Sequence, residues 1–102
     1  MSMLHIVNKS PLDKGTFASC VNHAKSGSTI LLIEDGVYAV TKGSSSAALA
    51  QQAIKKGVTV SALWPDLEAR GMAGAVTEGV RLVDYGGFVD LVAKYNTCQS
   101  WL

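Results

Sequence analysis

Thr29-Ile30-Leu31-Leu32-Ile33-Glu34-Asp35-Gly36-Val37 is the stretch that decides the fold. Its apolar run carries no polar alternation and stops abruptly at Glu-Asp-Gly. A strand that is apolar at every position has both faces covered, as in a parallel sheet enclosed by helices. The acidic turn marks its carboxyl end, and in open α/β sheets ligands and chemistry collect at that end of the strands.

The segments on either side fit the same scheme. Met3 to Val7 reads as a short first strand, and Asn8-Lys9-Ser10-Pro11 as a turn. Asp13 is placed to cap a helix from Lys14 to Lys25 that Gly27 closes. Phe17, Cys20, Val21 and Ala24 fall on one face of it by their spacing. Beyond Gly36, Val37 to Val40 reads either as a short helix or as a further strand. Lys42-Gly43-Ser44-Ser45-Ser46 is a loop, one serine of which caps a helix from Ala47 to Lys56 ended by Gly57. Val58 to Ala62 is the third strand. Pro65 suits the first turn of a short helix, Asp66 to Arg70, and Gly71 stops it. After a small-residue loop from Met72 to Gly79, Val80 to Val83 is a strand, and a helix runs from Gly87 to Tyr95. Alternating strands and helices imply right-handed crossovers. The expected fold is therefore α/β and three-layered: a mostly parallel, Rossmann-like sheet of four to five strands flanked by helices.

At 102 residues the chain is expected to form a single domain, residues 1–102. A domain of that size buries somewhat over ~60% of its unfolded surface, enough for a core without metal or disulfide support. Charged residues make up only 17% of the chain and hydrophobic residues 48%. The usual charged share is ~25%, so the surface is short of polar cover, which suggests a buried subunit interface. The terminal Trp101-Leu102 points the same way: both residues are expected to pack on the sheet edge or on a partner chain. The net charge is +1 and no basic cluster exceeds Lys55-Lys56, which argues against direct nucleic-acid binding. No leader pattern is seen, and no apolar run approaches the ~18 residues that suggest a membrane span. Cys20 and Cys98 form no CxxC pair, so a reducing cytoplasm is the expected compartment.

The chemistry-bearing residues are few. Cys20 is a candidate nucleophile or sulfur carrier, but it shares an apolar stripe two turns into its helix, and a buried core thiol is the favoured reading. Cys98 lies in the tail with no charge beside it in sequence, and is read as a bystander. The Gly43-Ser44-Ser45-Ser46 loop can present backbone N–H groups to an anion, yet it lacks Walker A spacing and reads first as a capped helix start. Asp35, Asp66 and Asp84 each follow a strand and can line one end of the sheet, although capping is the expected role for at least two of them. His5 is expected in the core and His23 on an exposed helix face. No metal-ligand spacing, cofactor motif or hydrolase triad is present.

Taken together, Leu4-His5 with Ser10-Pro11, Leu31-Leu32 with Asp35-Gly36-Val37, Ala62-Leu63 with Asp66-Leu67 and Ala69-Arg70-Gly71, Asp84-Tyr85, Phe88-Val89 and Trp101-Leu102 resemble the DsrH/TusB family of sulfur-relay proteins. The similarity runs over residues 3–102. Two departures are Gly87, where the TusB branch tends to a polar residue, and Met1-Ser2 ahead of the family's usual start. The presence of Cys20 resembles the DsrH branch, found in sulfur oxidation, more than the TusB branch, found in tRNA wobble-uridine 2-thiolation. The resemblance implies a DsrE-like fold and a heterohexamer with two copies each of this chain, a DsrE/TusD-like subunit and a DsrF/TusC-like subunit. It implies persulfide transfer to or from a DsrC/TusE-like acceptor, with no cofactor. The main sulfur-carrying cysteine would belong to the DsrE/TusD-like subunit, leaving this chain a structural and docking role and Cys20 as a candidate carrier. On that reading the chain is a sulfurtransferase subunit, not a catalyst on its own. The rival reading from another class is a small-molecule or anion-binding α/β module built on the serine loop and the acidic strand ends.

Overall fold

The computed structural model describes residues 2–11 and 15–101. In chain order the elements are β1 (Leu4–Val7), α1 (Thr16–His23), β2 (Thr29–Leu32), a 3-10 helix (Glu34–Val40), α2 (Ser45–Lys55), β3 (Thr59–Leu63), α3 (Trp64–Ala69), β4 (Arg81–Val83), α4 (Tyr85–Lys94) and β5 (Cys98–Trp101). The strands form one five-stranded sheet in the order β4-β3-β2-β1-β5, and every neighbouring pair is parallel. This is the expected three-layer α/β architecture.

The register sorts the side chains into two faces. His5 pairs with Ile30 and Val7 with Leu32, while Ile30 pairs with Val60 and Leu32 with Ala62. Paired residues of a parallel sheet share a face. Val7, Ile30, Leu32, Val60 and Ala62 pack with Phe17, Cys20, Val21 and Ala24 from α1 and its end, and with Ala50 and Ala53 of α2. This face holds the main core. Leu4, Leu31 and Leu63, on the opposite face, are also buried. The chain steps outward from β1 to β4 with α1 and α2 on the first face. It then returns across three strands to β5 through α4, and right-handed crossovers put that return on the second face. Tyr95, just past α4, confirms the side: its hydroxyl meets Thr29 Oγ1 at 2.8 Å and donates to the Gly27 carbonyl at 3.2 Å.

Most boundaries fall within two residues of the sequence reading. Ser44 caps α2, its Oγ accepting from the Ala47 N–H at 3.2 Å. The apolar stripe of the first helix is real, since Phe17, Cys20 and Val21 are its buried residues. The proposed cap at Asp13 lies outside the described residues, as do Lys14 and Leu102. Val37–Val40 resolves as helix, within the 3-10 segment, and the fifth strand is the tail. Three of the four residues of β5 are exposed, so it shows no apolar alternation. It forms because its backbone pairs with β1, from Leu4↔Cys98 to Val7↔Trp101.

Candidate functional site

The carboxyl ends of β2 and β3 hold a small polar constellation. Gly36 sits so close to β1 that a Cβ there would run into the Val7 carbonyl. That approach forces a tight exit from β2, and Glu34 takes it with φ of +50°, the one positive value among the described non-glycine residues. This conformation costs an L-residue of order 1 kcal/mol. Asp66 offsets it: its carboxylate accepts from the Glu34 N–H at 2.6 Å. Arg70, one turn further along the chain, donates through Nε to Asp35 Oδ1 at 3.0 Å and through Nη1 to the Asp66 carbonyl at 3.2 Å. Two of the three acidic residues singled out in the sequence therefore meet through Arg70, which sequence reasoning did not place in a site. Its signal was the Asp66-x-x-x-Arg70 spacing, which puts both residues on one face.

The expectation that two of these aspartates cap helices is corrected. Asp84 alone does so, accepting from the Gly87 N–H at 2.8 Å as the N-cap of α4. Asp35 and Asp66 lie inside the first turns of their helices, past the cap position, so their carboxylates turn to other partners. Asp84 belongs to β4's end of the sheet and does not join the other two. The serine loop is an ordinary capped helix start: Ser44 Oγ also donates to the Thr41 carbonyl at 2.8 Å.

Cys20 is wholly buried on the inner face of α1. Burial pushes its thiol up from 9.0 to about 12, with the Lys56 ammonium pulling weakly the other way. Lys56 spends that ammonium on the Val21 carbonyl at 2.6 Å. A thiol so placed stays protonated at neutral pH and has no open path to an electrophile. Cys98 is exposed on β5.

Trp101 reaches from β5 over the first face of the sheet. Its indole Nε1 donates to His5 Nδ1 at 3.1 Å, and its ring lies 6.1 Å from that of His5 and 5.5 Å from that of His23. Both histidines thus stand where the sequence put them, His5 in the core and His23 exposed, and Trp101 docks at the sheet edge. Among the described residues no group of three or more His, Cys, Asp or Glu is gathered for a metal ion, and no helix is long and apolar enough to cross a membrane.

The remaining feature is α4. Phe88 and Leu91 turn one half-buried apolar stripe inward, while Tyr85, Val89 and Val92 form a second stripe. These three are 60%, 66% and 43% exposed. Asp90 and Lys94 mark the polar side of α4, and an exposed apolar face of this kind is the mark of an interaction surface.

The parallel sheet and the uncovered helix define a small α/β layer domain with an exposed apolar face. The comparisons specify which kind. The family model described as "DsrH like protein" matches residues 9–98. The chain is 33% identical to Protein TusB of Escherichia coli over 99 residues, covering 97% of this chain and all of that protein. It is 34% identical to Protein TusB of Salmonella dublin over 85 residues, covering 83% of this chain and 86% of the relative. Among solved structures, the ychN protein of E. coli superposes with a TM-score of 0.80 over 98% of each chain at 12% identity. A protein of unknown function from Methanobacterium thermoautotrophicum does so with a TM-score of 0.74 over 97% of this chain and 96% of its own, at 18% identity. The structural matches establish the fold. The chain belongs to the DsrH/TusB family.

Proposed function

We propose that this chain is the small structural and docking subunit of a cytoplasmic sulfur-relay complex, and that Cys20, as placed, carries no sulfur. The observation that carries the reading is the outer face of α4, where Tyr85, Val89 and Val92 stand uncovered in a chain with few charges. On this reading the partners are a DsrE/TusD-like and a DsrF/TusC-like subunit, two copies of each with two of this chain, and a DsrC/TusE-like acceptor. In such a relay an acceptor thiolate attacks the terminal sulfur of a persulfide. A new S–S bond forms, the old one breaks, and the donor cysteine leaves as a thiolate with the electron pair. A donor must therefore be accessible and ionisable. Cys20 is neither as placed, so sulfur carriage on Cys20 would require α1 to lift from the sheet.

Native mass spectrometry of the co-expressed subunits tests this. The expected result is a complex with two copies of each chain and added sulfur on a sister subunit. Recovery of this chain as a folded monomer, with sulfur transfer intact in its absence, overturns the reading.

Two relay branches are open to such a subunit. The similarity to TusB proteins supports service to tRNA wobble-uridine 2-thiolation. The DsrH-like family match and the presence of Cys20 support service to sulfur oxidation. Deleting the gene and measuring 2-thiouridine in tRNA separates them: loss of the modified base assigns the first branch, and unchanged thiouridine with impaired sulfur oxidation assigns the second.

A further inference from the structure

β5 lies at an edge of the sheet, its backbone pairs with β1 alone, and three of its four residues are exposed. Its side-chain tie is the Trp101 indole N–H on His5 Nδ1, and the acceptor in that tie can titrate. Because the indole can only donate, Nδ1 must accept, and the proton of the neutral imidazole sits on Nε2. Nε2 has no hydrogen-bond partner of its own. The docked strand therefore suits one form of the ring, with Nδ1 bare. A second proton lands on Nδ1 and sets N–H against N–H.

Nothing around the ring can hold that second proton's charge. Only 2% of His5 is exposed. It lies on the sheet face that α1 covers, between Ile30 of β2 and Gln99 of β5. The titratable and charged groups around it are His23 and the buried Cys20 of α1, Lys25 just past that helix, and Lys56, whose ammonium sits on the Val21 carbonyl. β1, α1, β2 and β5 contain no Asp or Glu. A protonated His5 thus meets basic groups and a thiol, and no carboxylate. Burial and the neighbouring His23 accordingly hold its pKa below the ordinary 6.5. The charged ring is stabilised only by reaching water, so one of its covers must yield. α1 is held by Phe17, Cys20 and Val21, all buried, whereas β5 has only the half-buried Trp101. β5 is the cover that yields first.

We propose that His5 and Trp101 form a proton-operated latch: a proton on His5 Nδ1 expels the indole and releases β5 from β1 while the rest of the sheet stays folded. Above pH 6.5 the ring is neutral whether β5 is docked or open, and the latch is shut. Below pH 6.5 the open form takes up the proton first, so falling pH favours opening, by up to about tenfold per pH unit for one proton. The latch stands whether or not the chain serves a sulfur relay.

The test is native-state hydrogen exchange of the full chain between pH 7 and pH 5, corrected for the intrinsic exchange rate. The amides of β5 are read against those of Ile30 and Val60 in the middle of the sheet. The expected result is a β5 opening constant that is flat above pH 6.5 and rises below it, while Ile30 and Val60 remain far better protected. His23→Gln, at an exposed position, should keep the rise, and His5→Gln should abolish it. Should His5→Gln fail to fold, 15N-histidine NMR of the parent chain decides: protonation of His5 and opening of β5 are expected on one pH curve. A β5 opening constant that ignores pH overturns the latch. So does loss of the rise in His23→Gln, or a His5 that becomes doubly protonated while β5 stays protected.

Discussion

The Trp101 indole is hydrogen-bonded to His5 across 96 positions of sequence, Nε1 to Nδ1 at 3.1 Å. This bond joins the last described residue to the second residue of β1, and it adds a side-chain tie to an edge strand otherwise held by its backbone pairing with β1. Trp101→Phe keeps the ring and removes the donor, leaving a buried imidazole nitrogen unpaired. The expected loss is about 1–2 kcal/mol of stability. Hydrogen exchange should accelerate first in β5, and chemical denaturation read against exchange at Val7 and Ser100 checks this. A uniform loss across the sheet would show that the bond holds no local strand.

His5 also sets an acid limit. Burial lowers its pKa below 6.5, and the nearby His23 lowers it further. Above pH 6.5 the imidazole is neutral in both the folded and the unfolded chain, and the stability is fully present. As the pH falls below 6.5 the unfolded chain takes up the proton first, so stability declines until the folded pKa is passed. Protonation of Nδ1 would in turn set two donors against each other at Trp101. Urea denaturation between pH 7 and pH 5 should show this decline, and His5→Gln, which cannot titrate, should flatten it.

Cys20 sets the alkaline limit by the opposite sign. Its thiol is raised from 9.0 to about 12, so stability is fully present below pH 9 and declines as the unfolded chain ionises first. Cys20→Ala abolishes that decline and leaves a small cavity. The same variant bears on the relay: co-assembled with the sister subunits, it is expected to support sulfur transfer at the rate of the parent complex. Transfer abolished in a complex of normal composition would restore Cys20 as a carrier.

Asp66 should matter more than its place on a helix of about one and a half turns suggests. It neutralises the left-handed turn at Glu34 by accepting that residue's N–H. Asp66→Ala is expected to cost about 1 kcal/mol, less than is usual for a charged acceptor because the bond is near solvent. Asp66→Asn, which keeps an acceptor, should recover most of it. Thermal denaturation of the pair decides between the bond and the mere loss of a charge.

The layer order was legible because its signals are local. Ile30 to Ile33 is apolar throughout, Ser44 and Asp84 stand at helix starts, and Gly27 and Gly57 close turns with φ of +91° and +93°. The acidic edge was half legible: Asp35 and Asp66 were marked by following strands, but their meeting through Arg70 depends on how β2 and β3 lie side by side. β5 was not legible as a strand, because Cys98, Gln99 and Ser100 carry no apolar alternation and are ordered by β1 alone. The bond from Trp101 to His5 was hidden for the same reason: it joins residues 96 positions apart, and no spacing in the chain announces that.

The outer face of α4 yields the prediction on which the subunit role turns. Val89 is 66% exposed, so Val89→Asp should leave the isolated chain's melting temperature and exchange pattern nearly unchanged. In an assembled complex the same carboxylate would be carried into an apolar contact with no partner for its charge, which costs several kcal/mol unless the contact opens. The variant should therefore fold normally and fail to co-purify with the sister subunits, with affinity down by at least about a hundredfold. Tyr85→Ala, which removes bulk without adding charge, should weaken assembly by a smaller factor. Retention of Val89→Asp at parental stoichiometry would mean that α4 faces solvent in the complex. The apolar surface that joins the subunits would then have to be sought on another element.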